Sequence, residues 1–136
     1  MSELHVRVSV AGEAYALPVA EVLEVADLGD VTPLPGSGAA ILGIRNLRGQ
    51  VVPVVDLAVV LGLAGAPAPG RMVIAEEAGR KAGLAVDEIA GVEELPPASE
   101  EAESAHLAGA VLAGGDLIGV LDVRAVLDAV EGTPTR

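Results

Sequence analysis

The chain reads twice. Sliding the sequence by 67 residues lays Gly12 on Gly79, Leu17 on Leu84, Val19 on Val86, Glu21 on Glu88, Val22 on Ile89, Val25 on Val92 and Leu28 on Leu95. After a one-residue slip, a shift of 66 lays Gly43 on Gly109, Gly49 on Gly115, Val52 on Ile118, Val54 on Val120, Asp56 on Asp122 and Leu61 on Leu127. Aliphatic coincidences are cheap in a chain that is 51% apolar. Three glycines and an aspartate recurring across frames only one residue apart are not. A repeat of about 65 residues means that one small unit has been built twice. Within 136 residues, neither copy can bury a self-sufficient core, so the two must lean on one another.

The unit itself is β-rich. Leu4 to Val10 alternates apolar and polar residues, which predicts a strand with one wet face. Gly12-Glu13 turns into a second strand, Tyr15 to Val19. The spacing of Val19, Val22, Leu23 and Val25 then predicts a short helical turn, with Glu21 and Glu24 on its other side. Thr32 to Gly36 is turn-rich. Ile41–Asn46 and Val51–Asp56 form a hairpin around Leu47-Arg48-Gly49-Gln50. Pro53 has no amide proton, so its strand should lie at an edge or a bulge. Asp56 and Asp122 stand where a helix N-cap belongs, ahead of short helices over 57–63 and 123–130. Four or five strands per copy are most economically closed into a small barrel, because closure removes exposed edges. The acidic, proline-containing stretch from Glu93 to Glu103 reads as a solvated loop inside the second copy.

Composition removes most kinds of chemistry. Cysteine is absent, which excludes disulfides, thiolate metal sites and cysteine nucleophiles. Tyr15 is the one aromatic residue, so the core must be a long seam of Val, Leu, Ala and Ile. A net charge of −12 makes nucleic acid and anionic lipid poor partners. Glu3, His5, Arg7 and Glu13 deny the N-terminus a signal-peptide core, and glycines and prolines break the apolar stretch 57–70 well short of a membrane span. A free-standing cytoplasmic protein is the expectation.

No catalytic or metal constellation emerges. His5, on the polar face of the first strand, and His106, at the start of a later one, have no metal-ligand spacing and read as surface residues. Glu21, Glu24 and Asp27 recur every three residues along one helical face but lack neighbours that would split their acidities. Ser37 lies in an incomplete nucleophile elbow and reads as a turn. Neither a phosphate-cradling loop nor a cofactor-binding pattern is present.

One asymmetry between the copies stands out. The segment Gly43-Ile-Arg-Asn-Leu-Arg-Gly49 carries Arg45 and Arg48, two of eight basic residues, whereas its counterpart 109–115 carries none. Residues that folding requires are shared between copies, and residues that one copy alone keeps are candidates for function. The glycines and Asp56 are therefore structural, and Asn46 and Arg48 are functional candidates.

Asn46-Leu-Arg-Gly49 followed by Val51-Val-Pro-Val-Val-Asp-Leu57 resembles the signature of the CheW-like family of bacterial chemotaxis coupling proteins. So does the order of Tyr15-Ala-Leu-Pro, Glu21-Val-Leu-Glu-Val25, Thr32-Pro-Leu-Pro-Gly36, Gly83-Leu-Ala-Val-Asp-Glu88 and Leu117-Ile-Gly-Val-Leu-Asp-Val123. The likeness runs over residues 4–130. It implies one mainly β domain of two intertwined, Src-homology-like five-stranded barrel subdomains with short helices. These would span about 10–66 and 77–130, sharing the strand 4–10 and exchanged strands. It further implies a non-enzymatic adaptor joining the cytoplasmic tip of a methyl-accepting chemoreceptor to the regulatory domain of the histidine kinase CheA, without small-molecule substrate, cofactor or metal. In the family's motif, Arg48 matches an arginine linked to coupling, Val22 and Glu24 match positions associated with receptor contact, and Gly43 matches a glycine that tolerates little else. A CheW-like module of a CheV- or CheA-type protein is the alternative within the fold, and a small-molecule-binding barrel is the alternative outside it. The chain departs from the family in lacking phenylalanine altogether.

Overall fold

A computed structural model describes residues 1–63, 69–99 and 104–131. The first half supplies β1 (Glu3–Val10), β2 (Glu13–Pro18), a single 3-10 turn (Val19–Glu21), β3 (Val22–Asp27), β4 (Ile41–Leu47), β5 (Gln50–Asp56) and the one-turn helix α1 (Leu57–Val60). The second half repeats the series with β6 (Arg71–Glu77), β7 (Arg80–Val86), β8 (Glu88–Leu95), β9 (Leu107–Ala113), β10 (Asp116–Leu121) and α2 (Val123–Glu131).

Strands are exchanged between the halves. One sheet has the order β8-β1-β2-β10-β9 and the other β3-β6-β7-β5-β4, so each combines strands from both repeats. Replacing every strand by its repeat partner turns one order into the other. The two halves meet within each sheet in parallel pairings, Gly119–Val120 against Tyr15–Ala16 and Val54–Asp56 against Gly83–Ala85. The remaining pairings are antiparallel.

Four of the hairpins turn on two residues of positive φ: Ala11-Gly12, Arg48-Gly49, Ala78-Gly79 and Gly114-Gly115. This is the twist-matched geometry that favours glycine in the second position. Among the described residues no ladder joins the two ends of either sheet. Instead, the chain leaving one edge strand returns along the other. Thr32 N–H donates to Ile44 O (2.9 Å) and Ile44 N–H to Thr32 O (2.8 Å), while Ser99 N–H donates to Ala110 O (3.0 Å).

The main core lies between the sheets. Val6, Val8, Val10 and Leu17 meet Val73, Ala75, Leu84 and Val86, with Leu57 of α1 and Val126 and Leu127 of α2 closing the seam. Each sheet curls over a smaller cluster on its other face: Ala16, Leu95, Val111, Ile118 and Val120 in one, and Val54, Met72, Ile74 and Ala85 in the other. Both expected caps form. Asp56 accepts from Ala58 N–H and Asp122 from Ala125 N–H, each at 3.1 Å.

Six expectations are corrected. Residues 22–27 are a strand, because pairing with β6 satisfies their backbone along its length, and only Val19–Glu21 is helical. The polar face of β1 is not wet: the curl of its sheet covers it, leaving His5 buried and Arg7 and Ser9 half-buried. β5 lies inside its sheet rather than at an edge, and Pro53 sits one residue ahead of the parallel ladder to β7. Glu93 and Glu94 belong to β8, paired with β1, so the loop starts only at Pro96. The first helix ends at Val60, and His106 precedes β9 rather than opening it. The rest of the acidic stretch (100–103), the tail 132–136 and part of the apolar stretch (64–68) lie outside the described residues.

Candidate functional site

Arg48 and Glu24, 24 residues apart in sequence, meet in space. Arg48 occupies the first turn position between β4 and β5, held at φ 53°. Its guanidinium reaches the carboxylate of Glu24 on β3 through both terminal nitrogens, Nη1 to Oε2 at 3.0 Å and Nη2 to Oε1 at 3.3 Å. β3 and β4 are opposite ends of the sheet order, so this pair spans a sheet curled enough to bring its edges together. The arginine side chain is 82% exposed and that of Glu24 33%, so solvent screens the pair and its contribution to stability is small. A two-pronged guanidinium in solvent is instead well placed to exchange partners with an incoming carboxylate or carbonyl.

The strand that carries Glu24 alternates. Val22, Glu24 and Ala26 are half-buried, whereas Leu23, Val25 and Asp27 are exposed. Leu23 is 49% and Val25 42% exposed, and across the sheet Val51 is 59% exposed. A groove of about 330 Å³ runs under the ion pair, lined by Leu23, Glu24, Leu47, Arg48, Gln50, Val52, Ile74 and Lys81. Lys81 Nζ donates to Gln50 Oε1 at 2.9 Å along its wall.

The other candidates divide differently. Asn46 Oδ1 accepts from Gly49 N–H at 2.9 Å, bracing the turn that presents Arg48. Val22 packs against the core between the sheets. Gly43 sits at a register shift in β4 with φ 153°, and a Cβ there would overlap the carbonyl of Thr32. Its repeat partner Gly109, with φ 157°, is equally hemmed in by Ser99. Geometry alone accounts for both glycines. Arg45 donates to the carbonyls of Asp27 and Leu28 at 2.9 Å each and is a brace rather than a free cation.

Glu21, Glu24 and Asp27 do not share a face: Glu24 pairs with Arg48, Asp27 with Arg71 at 3.3 Å, and Glu21 lies at the far side of the crossover between sheets. Ser37, buried in its turn, donates to Leu34 O at 2.6 Å. Among the described residues, no three His, Asp or Glu side chains converge in a way that holds a metal ion, and no helix is long and apolar enough to cross a membrane. Sequence reasoning misses Leu23, Val25, Val51 and Lys81. Strand alternation through 22–27 is the signal that exposes the first two.

The family model described as "CheW-like domain" matches residues 5–131. The chain is 26% identical over 132 residues to the chemotaxis protein CheW of Rhizobium meliloti, covering 90% of this chain and 85% of that one. It is 33% identical over 109 residues to protein FrzA of Myxococcus xanthus, covering 74% and 68% of the two chains. The crystal structure of the scaffolding protein TtCheW from Thermoanaerobacter tengcongensis superposes with a TM-score of 0.81 at 30% identity, over 90% of each chain. Repeat, exchanged sheets, signature hairpin and family match converge: the chain belongs to the CheW-like domain family.

Proposed function

We propose that this protein is a non-enzymatic coupling adaptor of chemotaxis signalling, joining the cytoplasmic tip of a chemoreceptor to the regulatory domain of the kinase CheA. The observation that carries the reading is the solvent-facing Arg48–Glu24 pair above a groove flanked by exposed Leu23, Val25 and Val51. An amphipathic helix laid there would bury the aliphatic residues, and the ion pair at the rim would set its register. On this reading Arg48 and Glu24 touch the partner, Asn46 positions Arg48, and Val22 and Gly43 hold the shape of the strands beneath. The domain acts as a unit over 4–130, with subdomains about 10–66 and 77–130 joined by the strand exchange, and works in the cytoplasm, where receptor tips and kinase are found.

The test is reconstitution of receptor, kinase and this protein, with receptor-dependent kinase activation as readout. Arg48→Ala is expected to abolish most of the activation while leaving the fold intact, and Arg48→Lys to restore part of it. Unchanged activation in the alanine variant would return Arg48 to an ordinary surface residue. Titration with the kinase regulatory domain, and separately with DNA and with ATP, separates an adaptor from a nucleic-acid or nucleotide binder.

A further inference from the structure

The two halves treat equivalent hollows in opposite ways. In the sheet that carries β1, Arg7 lies on the inside of the curl and reaches Glu93 of β8 at 2.8 Å and Asp116 of β10 at 3.7 Å. Its side chain is only 23% exposed, so this copy occupies its hollow with a charge cluster of its own. Residue for residue, Arg7 corresponds to Ile74, Glu93 to Ala26 and Asp116 to Gln50, as His5 corresponds to Met72. The other sheet therefore lacks the internal cluster. The groove beneath Arg48 and Glu24 opens there, with the buried Ile74 and Val52 in its lining.

Lys81 lines that groove, and it is the only lysine of the chain. β7 carries it in register with Glu76 of β6, yet its ammonium turns to Gln50, whose Oε1 accepts at 2.9 Å. Glu24, the acid lining the groove with it, is already held by both terminal nitrogens of Arg48. An ammonium has three N–H bonds to give, and among the described residues Gln50 is its one acceptor. By contrast, Arg7, Arg45, Arg48, Arg71 and Arg80 each bond to a carboxylate or to backbone carbonyls.

The repeat shows that the fold does not need this lysine. Its counterpart in β2 is Ala14, while Arg48 and Glu24 correspond to Gly114 and Gly91. The unit has been built once with these three charges and once with none of them. Among the residues lining the groove, Arg48 and Glu24 cancel, so Lys81 gives it an excess positive charge within a chain of net charge −12. Such a local reversal of sign favours an acidic group on whatever docks there.

Taking the coupling role proposed above as premise, we propose that Lys81 is the specificity-determining contact of this groove. It pairs with an aspartate or glutamate on the chemoreceptor helix, while Leu23, Leu47 and Ile74 take that helix's apolar side chains. The acid belongs three or four residues from the apolar anchor, the spacing that puts two side chains on one face of a helix. Arg48 and Glu24 form a neutral pair that sets register, whereas Lys81 reads sign. A helix with lysine or arginine in place of the acid meets a like charge and is rejected. A compact ammonium on a flexible stem suits that task, since it asks for charge rather than for a fixed planar geometry.

A single lysine makes the test selective, because isotope-labelled reductive methylation marks Lys81 and the α-amine alone and keeps both charges. The labelled full chain is titrated with the cytoplasmic tip fragment of a chemoreceptor and followed by NMR. The Lys81 signal is expected to shift saturably while the α-amine signal stays in place. Lys81→Gln should weaken binding about tenfold and Lys81→Glu by more, and exchanging the acid for lysine on the receptor helix should restore binding to Lys81→Glu. A Lys81 signal unmoved at saturation overturns the proposal and leaves the coupling role standing, as does a Lys81→Glu variant that binds like the parent while Arg48→Ala does not. A parent chain that fails to bind the fragment overturns the coupling role, and the proposal with it. Should Lys81→Glu fail to fold, Lys81→Ala, which copies Ala14 of the other half, carries the comparison.

Discussion

Replacing Arg48 by glycine should make the protein more stable and less functional at once. Arg48 is held at φ 53° in the first position of its turn, with Gly49 at 83° in the second. That left-handed region costs an L-residue with a Cβ about 1 kcal/mol and costs glycine almost nothing. The counterpart turn already uses Gly114-Gly115 at φ 59° and 85°, so the fold accepts glycine there. Against this gain stands loss of the Glu24 pair, which at 82% exposure of the arginine side chain contributes about 0.2–0.5 kcal/mol. The net for Arg48→Gly is a gain of roughly 0.5–0.8 kcal/mol, a few degrees in Tm for a chain of this size. Arg48→Ala keeps the backbone cost and loses only the pair, so it should fall within about 0.5 kcal/mol of the parent, on the destabilised side. Urea unfolding monitored by far-ultraviolet circular dichroism measures both, since a single tyrosine gives little fluorescence signal. Reconstituted kinase activation should fall in both variants. If glycine destabilises by more than about 1 kcal/mol, the arginine is holding the fold and the reasoning from turn geometry fails.

Gly43→Ala and Gly109→Ala should each destabilise strongly, by about 2 kcal/mol or more, because a Cβ would overlap the carbonyls of Thr32 and Ser99; equilibrium denaturation checks this, and a mild effect would mean that the edge segments can slide. Asp122→Ala should cost about 1 kcal/mol through loss of the α2 cap, read from the same curves. For Glu21 the sign comes from its pKa, which burial and then the charges of Glu77, Asp122 and Glu3 raise: the folded state holds the proton more tightly than the unfolded chain, so the stabilisation from protonation is complete below the ordinary carboxylate range and is lost as pH rises through the raised value. Glu21→Gln should therefore be more stable than the parent at neutral pH, with the advantage shrinking as pH falls; stability measured across a pH series would contradict this by showing a constant difference.

Much of the fold is legible from residue order alone, and the exceptions share a cause. Hairpins at Arg48-Gly49 and Gly114-Gly115, the caps at Asp56 and Asp122, and the repeat are local or self-referential signals, readable without knowing which strands pair. Residues 22–27 mislead because valines and glutamates over six positions suit either period, and only pairing with β6 decides between them. His5 reads as solvent-facing because alternation announces two faces and cannot tell how far a sheet curls over the second. Arg48 and Glu24 each stand out in the sequence, but their meeting depends on that same curl, which is a property of five strands together. Pro53 shows the limit of a local rule: an interior strand tolerates proline where the neighbouring ladder has yet to begin.

The strand exchange carries a consequence for how such a chain came to exist and how it must fold. Because each sheet takes β-strands from both repeats in the same order, the topology is that of a domain-swapped homodimer whose two subunits have been fused in tandem. Neither half owns a complete sheet, so the two cannot evolve or fold as beads on a string. The parallel junctions Ala16–Val120 and Val55–Leu84 close loops of about 104 and 29 residues, the first nearly end to end, and folding waits for that long-range closure. Fusion also frees the two halves from identity. One interior could become Met72 while the other kept His5, and one turn could acquire Arg48 while the other stayed Gly114. A symmetric ancestor would have been bound to present the same face twice; the fused chain can offer each side to a different neighbour.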